Sequence, residues 1–277
     1  LLAIPPDQRV SDTDPGDTDP LVYADAAQYC STKHAFLICA PPTEWSNEAA
    51  QGNYAFSPTD VGITGDTERW AAVYFPTVVQ EDVLSNGQTK TFPPSGIIAG
   101  IMSATDAARG VWKAPAGVDA GIAGITKLSL NLTDQHNGQL NEVGINCLRS
   151  FPVIGPVVWG ARTLRGANQL EDAYKYINVR RLTNYIEDSL MRGTMWAVFE
   201  PNDEALWSSI RLSVGSFMAD LNRQGAFYNY QVLCDATTTT PRDIELGIVN
   251  VQVAFAPVKP AEFVVIQIQQ LTAKTTS

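Results

Sequence analysis

The sequence has little that would mark a membrane or secreted protein. No uninterrupted apolar run among its 277 residues approaches the roughly 20 residues that a membrane-spanning helix requires. The first residues, LLAIPPDQRV, lack the charged, apolar and cleavage regions of a signal peptide. We therefore predict no direct membrane insertion. Because the chain starts at Leu1, within an apolar strand-like run and without a methionine, we expect the natural protein to extend further at its N-terminus.

Cysteine and histidine are scarce, and their spacing argues against a metal site. The cysteines are Cys30, Cys39, Cys147 and Cys234. They show no CxxC spacing, and two histidines cannot complete a convincing zinc set. We interpret the cysteines as small buried apolar residues, with one disulfide as the alternative, and expect synthesis in a reducing cytoplasm. His34 and His136 have no catalytic partner at motif spacing, so no cofactor is expected.

Catalytic motifs are also missing, since the sequence has no nucleophile elbow, P-loop or GxGxxG. The segment FEPNDE at 199–204 is the one candidate for paired-carboxylate chemistry. The alternative function is therefore an α/β hydrolase in which Glu200 and Asp203 are the catalytic carboxylates. Asn202, Asp203 and Glu204 are equally typical of a helix N-terminus, as a cap and two charges that favour the helix dipole. We favour capping and predict that the protein is not an enzyme.

The acidic segment SDTDPGDTDP at 11–20 suggests a calcium loop, because calcium binds several carboxylate oxygens on a sharp turn. Its aspartates are Asp12, Asp14, Asp17 and Asp19. The EF-hand pattern fails, since Gly16 stands at the fifth position instead of the sixth and Tyr23 replaces the glutamate at the twelfth. A solvated acidic loop is the favoured interpretation. A calcium-dependent binding module through Asp12–Asp19 is the alternative.

Charge is unevenly distributed along the chain. The net charge of −10 argues against nucleic acid as a partner, because binding phosphates needs a basic surface. Residues 1–100 contain 13 acidic and 4 basic side chains, whereas residues 101–277 are nearly balanced. Residues 149–192 are locally basic, with acidic side chains interspersed. That stretch is either a mixed solvated surface or a cationic patch for an acidic protein partner.

Hydrophobic periodicity predicts an α/β fold with a mixed sheet flanked by helices. The predicted strands lie at 1–4, 35–40, 70–75, 144–148, 157–164, 195–199, 232–234 and 248–255. The predicted helices lie at 21–33, at 179–192 with Gly193 as its stop, at 202–224 with Asn202 as its cap, and as a single turn at 241–246. Residues 41–124, rich in Gly, Pro, Thr and Asn, predict a loop-rich β region with short strands.

The C-terminal segment FAPVKPAEFVVIQIQQ, at 255–270, contains a strand pattern close to the end of the chain. Val264, Ile266 and Ile268 alternate with Gln267 and Gln269, which predicts one apolar face and one polar face. A terminal strand with unpaired backbone groups promotes aggregation of a monomer, whereas in a polymer it can pair with a neighbouring subunit and link the two. We therefore predict a core at 1–255 and a linker and strand arm at 256–277.

Six long segments, in order over most of residues 70–270, carry a specific resemblance. They are TFPPSGIIAGIMSATDAARGVWKAPAG at 91–117, GINCLR at 144–149, VVWGARTL at 157–164, YINVRRLTNYIEDSLMRGTMWAVFEPNDEALWSSIRLSVGSFMADL at 176–221, CDATTT at 234–239 and GIVNVQVAFAPVKPAEFVVIQIQQ at 247–270. The chain resembles the contractile tail sheath proteins of phages, R-type bacteriocins and extracellular contractile injection systems.

The resemblance implies a structural sheath subunit that polymerises into stacked hexameric rings around an inner tube. Such a sheath contracts on a baseplate trigger and drives the tube through a target envelope. The implied partners are other copies of the chain, the inner tube protein, and baseplate and cap proteins, within a phage virion or a released or anchored tail-like particle. The first part of the family's core and its N-terminal donor arm do not match this chain.

The resemblance also assigns roles to particular residues. Terminal arms of sheath proteins add strands to a sheet of a neighbouring subunit, which implies an inter-subunit strand arm at Phe263, Val264, Val265, Ile266, Gln267, Ile268 and Gln269. Pro257 and Pro260 are the predicted hinge of that arm. We expect the acidic first hundred residues to face the sheath exterior. The predicted tube-facing basic patch consists of Arg162, Arg165, Lys175, Arg180 and Arg181.

Overall fold

The structure of the protein is a computed structural model, and it describes residues 1–6, 15–83 and 87–262. The strands are β1 (Leu2–Ala3), β2 (Leu37–Cys39), β3 (Ala71–Phe75), β4 (Val78–Asp82), β5 (Gln88–Phe92), β6 (Lys127–Leu128), β7 (Asn146–Phe151), β8 (Gly155–Trp159), β9 (Phe227–Leu233) and β10 (Gln252–Pro257). The α-helices are α1 (Pro20–Thr32), α2 (Thr43–Ala50), α3 (Ser95–Arg109), α4 (Asp134–Glu142), α5 (Ile177–Gly193), α6 (Glu204–Arg223) and α7 (Pro241–Glu245). Short 3₁₀ helices lie at Pro58–Val61, Gly65–Trp70, Asn168–Leu170 and Met195–Ala197.

A five-stranded mixed sheet, ordered β1-β2-β3-β7-β8, carries the largest core. Neighbouring strands are parallel except for the antiparallel β7–β8 hairpin. Successive side chains of a strand point to opposite faces, so Leu37 and Val73 pack on the side of α1 and α2, while Tyr74 packs with Ile98 and Met102 of α3. Since both faces are covered, β2 and β3 are buried at every position. The predicted α/β fold with a helix-flanked mixed sheet is confirmed.

The C-terminal part has its own core, formed where α5 and α6 pack against the two-stranded antiparallel sheet of β9 and β10. The buried side of α6 repeats at helical spacing, with Leu206, Ile210, Val214, Met218 and Leu221 inside. The predicted stripe is therefore confirmed at Leu206, Ile210 and Leu221, while Phe217 is only partly buried. Gly225, at φ +83°, follows the helix as the sequence predicts.

The loop-rich prediction for residues 41–124 misses two helices, α2 and α3. A three-stranded sheet, ordered β5-β4-β6, does lie in and beside this region. The helix α3 covers one face of the central sheet with Ile98 and Met102. This packing outweighs the low helix propensity of Gly96 and Gly100. The sequence predicts no helix around His136 either, where the structure has α4. Thr133 caps this helix, and the His136 ring stacks on Tyr54 with centroids 3.8 Å apart.

Several predicted element ends are wrong in the C-terminal half. Met195–Ala197 is a 3₁₀ helix on the surface and not a strand. Gly193 is the last residue of α5 instead of its stop, and Thr194 is the C-cap. β8 ends at Trp159, so the predicted strand at 157–164 stops early. β10 begins only at Gln252, and β9 begins at Phe227, well before the predicted start at 232.

Candidate interaction site at the C-terminal end of the core

The last described residues, 258–262, run from β10 across the core and are held there by side chains. Asn178, near the start of α5, donates from Nδ2 to the carbonyl of Val258 at 3.1 Å and to the carbonyl of Trp112 at 2.9 Å. Asn178 is buried, so these bonds are shielded from water. The segment that leaves β10 is therefore attached to the core immediately after the strand ends.

A second attachment is the ion pair between Arg162 and Glu262. The Arg162 Nε donates to Glu262 Oε1 at 2.7 Å, and Nη2 donates to Oε2 at 2.6 Å. Arg162 is 1% exposed and the Glu262 side chain is 18% exposed. The bidentate geometry matches the planar guanidinium to both carboxylate oxygens, which is the strongest form of this interaction.

The remaining donors of Arg162 are also used. Its Nη1 donates to the carbonyl of Asn141 at 2.5 Å, to the carbonyl of Gly166 at 3.2 Å and to Asn168 Oδ1 at 2.9 Å. A Cβ at position 166 would lie 2.7 Å from the Arg162 Cβ, so only glycine permits this approach. A buried guanidinium is tolerated because each of its edges has a hydrogen-bond partner.

The backbone of Arg162 is positioned by Asn146 at the start of β7. Asn146 Oδ1 accepts from the Arg162 N–H at 2.7 Å, while Nδ2 donates to the carbonyl of Arg162 at 2.7 Å and to that of Val73 at 3.1 Å. Asn146 is completely buried. One amide thus ties the central sheet to the residue that holds Glu262.

Burial and charge shift the pKa values of the groups around this pair. Burial alone would raise the pKa of Glu262, but the hydrogen bonds and charge of Arg162 outweigh burial and hold that pKa below its usual value. Burial, followed by the negative charge of Glu262, raises the pKa of Tyr176, whose hydroxyl donates to Glu262 Oε2 at 3.2 Å. Burial, followed by the charge of Arg162, lowers the pKa of Lys175. Glu262 is therefore ionised at neutral pH.

The predicted tube-facing basic patch does not exist as an exposed cationic surface. Arg162, Arg180 and Arg181 are buried, because each guanidinium is neutralised by a carboxylate of this chain. Arg180 pairs with Glu187 and Arg181 with Asp106. Arg165 and Lys175, the two less buried members, also bond to side chains of this chain.

Arg165 bonds to Glu68 and Asp172, and the Lys175 Nζ donates to Asn168 Oδ1 at 2.8 Å. Glu262, Glu68 and Asp106, which pair with three of the arginines, lie outside residues 149–192, so charge counting along that stretch could not reveal them. Contact of any of these residues with an inner tube stays a prediction.

The predicted hinge falls at this end of the core. Pro257 is the last residue of β10 and is paired with Phe227 across the strands. Pro260 lines a cavity of about 380 Å³ together with Trp112 and Trp159. The predicted strand arm, Phe263–Gln269, lies outside the described residues. The role of the prolines as a hinge stays a prediction, although the chain is attached to the core at Val258 and Glu262 on either side of Pro260.

The β9–β10 sheet lies directly before this attached segment. Within residues 1–6, 15–83 and 87–262, no further strand pairs with the outer edge of either β9 or β10. One face of the sheet packs on α6, where Phe227 and Phe255 have ring centroids 5.6 Å apart. The opposite face exposes Tyr228. A two-stranded sheet with open edges can accept an additional strand.

The carboxylates of the hydrolase alternative serve the fold. Asp203 is the N-cap of α6, and its Oδ1 accepts from the Leu206 N–H at 3.0 Å. The predicted cap, Asn202, instead accepts from the Trp207 indole at 2.8 Å and donates to the carbonyl of Ile248 at 3.0 Å. Glu200 is exposed. These positions match the capping interpretation and remove the hydrolase alternative.

The described part of the acidic segment is used for local hydrogen bonds. Asp17 Oδ1 accepts from the Thr43 N–H at 2.7 Å, and Asp19 Oδ1 accepts from the Leu21 N–H at 2.8 Å as the cap of α1. Asp12 and Asp14 lie outside the described residues. Among the residues that are described, no cluster of three or more His, Cys, Asp or Glu side chains could hold a metal ion. The same residues include no helix that is long and apolar enough to span a bilayer.

Sequence reasoning missed Glu262, Asn146 and Asn178 as functional candidates. Glu262 stands beside the predicted arm, in KPAEF, and a carboxylate between Pro260 and a predicted apolar strand was a usable signal. Asn146 and Asn178 gave no signal, because a single amide inside a strand or helix does not reveal its partner. All four cysteines are free and buried, as expected.

Comparison with known protein families places both halves of the chain in one group. Residues 36–164 match the phage tail sheath protein central domain, and residues 170–270 match the phage tail sheath C-terminal domain. The tail sheath protein of Vibrio phage KVP40 is 33% identical over 178 residues, which cover 64% of this chain and 26% of the phage protein. The chain therefore spans about a quarter of that relative's length.

Two solved structures resemble the chain in fold as well as in sequence. A chain of the anti-feeding prophage baseplate has 30% identity and a TM-score of 0.75, with 91% of this chain and 65% of that chain covered. A chain of the sheath complex of PVC, an extracellular contractile injection system, in its contracted state has 33% identity and a TM-score of 0.69, with 85% and 64% covered.

Proposed function

This chain belongs to the contractile tail sheath family, and we propose that it polymerises with copies of itself into stacked hexameric rings around an inner tube. The proposal is carried by the two family models, which match adjoining parts of the chain in order. It is a structural protein and not an enzyme, in agreement with its relatives. Contraction of the rings drives the tube through a target envelope.

Contraction in this proposal requires no chemistry within the chain. A sheath assembled in an extended state can be driven by subunit surfaces that are buried more completely in the contracted lattice. Each subunit then changes its contacts with its neighbours while its own core stays folded. The two separate cores, around the central sheet and around α5 and α6, suit a subunit that moves as rigid parts.

Rings are linked, in our proposal, by the strand arm Phe263–Gln269 of one subunit, which pairs with the β9–β10 sheet of a neighbour. Within the described residues the outer edges of β9 and β10 pair with no further strand, which supports this assignment because an unpaired strand edge can accept a strand of another chain. Each added backbone hydrogen bond contributes about 1 kcal/mol net. Several bonds per arm, repeated in every subunit, would keep the rings connected while they move.

The arm starts, in this proposal, after Glu262. The predicted boundary at residue 256 and the hinge at Pro257 and Pro260 would place the pivot inside a segment that Asn178 and Arg162 attach to the core. An arm that transmits force needs a fixed origin, and a buried bidentate ion pair provides one. We therefore place the pivot beyond Glu262 and define the arm as residues 263–277.

The remaining partners follow from the same assignment. An inner tube protein fills the cylinder, a baseplate triggers contraction, and a cap protein ends the sheath. Assembly takes place in the bacterial cytoplasm, and the finished sheath is part of a phage virion or of a released or anchored tail-like particle. Neither nucleic acid nor a membrane is a direct partner in this proposal.

Negative-stain microscopy of the purified full-length protein tests the proposal, with hollow striated cylinders as the expected result. A variant that ends at Glu262 keeps the Arg162 ion pair and should stay folded as a monomer without forming cylinders. The matched control ends at Gln270, retains the predicted strand and should form cylinders. Cylinders from the variant ending at Glu262 would refute the arm assignment, while their absence in the full-length protein would refute the sheath function.

A further inference from the structure

The turn between α5 and α6 exposes an unusual number of large apolar side chains. Met191, Met195, Trp196, Val198 and Phe199 are all exposed within nine residues, and Phe199 is 101% exposed. Single exposed apolar residues are common, but clusters of this kind mark interaction surfaces. We call residues 191–199 the apolar turn.

The backbone of the apolar turn is strained at its most exposed residue. Phe199 has φ +72°, in the left-handed region that a bulky side chain rarely adopts. Such a conformation persists only where the surroundings enforce it. On one side Ala197 packs into the C-terminal core, and on the other Asn202 is bonded to Ile248 and Trp207. In the described part of the chain the fold thus holds the Phe199 side chain outward, fully exposed.

A groove of about 550 Å³ lies beside Phe199 and continues the apolar surface. Its walls include Val198, Leu206, Ile210, Val249 and Val251. The wall that contains Val249 and Val251 runs directly into β10 at Gln252. The groove therefore leads into the β9–β10 sheet that we propose as the acceptor of a neighbour's arm.

We propose that the apolar turn and its groove form a docking surface for a second copy of this chain. The inference rests on the proposed sheath function, in which the neighbour that adds a strand to the β9–β10 sheet is another copy. A filament built from one chain needs unlike patches that meet head to tail, so an apolar projection on one face is suited to such a contact. An aromatic side chain buries about 150–250 Å², so the fully exposed Phe199 and the 46% exposed Trp196 together supply roughly a third of the roughly 800 Å² per partner of a stable interface.

Site-specific crosslinking tests this surface directly. A photoreactive phenylalanine analogue is placed at position 199 of the full-length protein, and the assembled material is irradiated and digested for mass spectrometry. The expected product joins position 199 to a peptide of another copy and is missing in the unassembled monomer. A product with a different protein, or no product from assembled material, would overturn the inference. The same analogue at Leu212, an exposed position on α6, provides the background.

The variant Phe199→Asn separates docking from folding. Asparagine tolerates the left-handed conformation and removes the apolar ring, so the melting temperature should be unchanged or higher. The protein concentration needed for assembly should rise tenfold or more, as expected for a central aromatic residue of an interface. The control Leu212→Asn should leave that concentration unchanged. Equal assembly by both variants would overturn the inference.

The two proposals can fail separately. Cylinders that form normally with Phe199→Asn and give no copy-to-copy crosslink would remove the docking surface and leave the sheath function in place. A full-length protein that forms no cylinders but crosslinks at position 199 to a second copy would remove the sheath function and support the docking surface.

Discussion

Arg162 and Glu262 form a bidentate ion pair although they are 100 residues apart in the chain, with Nε–Oε1 and Nη2–Oε2 distances of 2.7 and 2.6 Å. Arg162 lies in the loop that follows the central sheet, and Glu262 lies between β10 and the predicted arm. The pair therefore connects the core to the segment that would carry load between subunits. Its contribution can be measured in the isolated chain.

Glu262→Gln should lower the free energy of unfolding by about 3 kcal/mol, because it leaves the buried guanidinium of Arg162 without a negative partner. Urea denaturation of the purified protein measures this loss. Glu200→Gln, a substitution at an exposed glutamate, should change the free energy by less than about 0.5 kcal/mol. Equal stability of the two variants would show that the ion pair does not hold the segment.

The pH dependence of stability should reveal the same carboxylate. The pKa of Glu262 lies below its ordinary value of 4.5 in the folded protein, so the unfolded state binds this proton first as pH falls. The stabilisation is therefore complete above about pH 4.5 and is lost as the pH falls further, through the folded-state pKa. Melting temperatures measured from pH 7 to pH 3 should fall more steeply for the wild type than for Glu262→Gln. Parallel curves would contradict the lowered pKa.

Asn146→Ala should destabilise the protein by about 3 kcal/mol. The substitution removes three hydrogen bonds in a completely buried site and leaves the Arg162 N–H and the carbonyls of Arg162 and Val73 without this partner. Chemical denaturation gives the value, and Asn250→Ala, at an exposed asparagine, serves as the control. A loss of unfolding free energy below about 1 kcal/mol would mean that water replaces the amide and that the site is accessible to solvent.

Asp203→Ala should cost about 1 kcal/mol, because α6 loses the side chain that accepts from its Leu206 N–H. Asp203→Ser retains a capping oxygen and should recover most of that loss. Thermal unfolding of the three proteins distinguishes these expectations. If serine proved no better than alanine, Asp203 would not act as a cap.

The four cysteines should be unreactive in the native state. All are buried and free, and burial raises the pKa of Cys30 to about 11 and that of Cys147 to about 12, so little thiolate forms near neutral pH. Labelling with a thiol reagent should be slow before denaturation and should then reach four groups without any reductant. Fewer than four groups would establish the disulfide that the sequence left open.

Local sequence was sufficient for elements whose apolar pattern matches their packing. The spacing of Leu206, Ile210 and Leu221 predicts the helix α6, because apolar residues at helical intervals form one buried face. An uninterrupted apolar run predicts β3, because a strand that is buried on both faces has apolar residues at every position. The surface run at 195–199 was misassigned for the same reason. An apolar sequence is read as buried, and here it is exposed.

The sequence by itself determined the α/β class and the family. It also predicted a C-terminal strand with one apolar and one polar face. Only the tertiary structure decided which charges are available. Four arginines of a basic stretch in the sequence are paired with carboxylates, among them Asp106 and Glu262, because a buried charge is stable only beside an opposite charge. Pattern and propensity act between near neighbours, whereas ion pairs between distant residues exist only after the chain has folded.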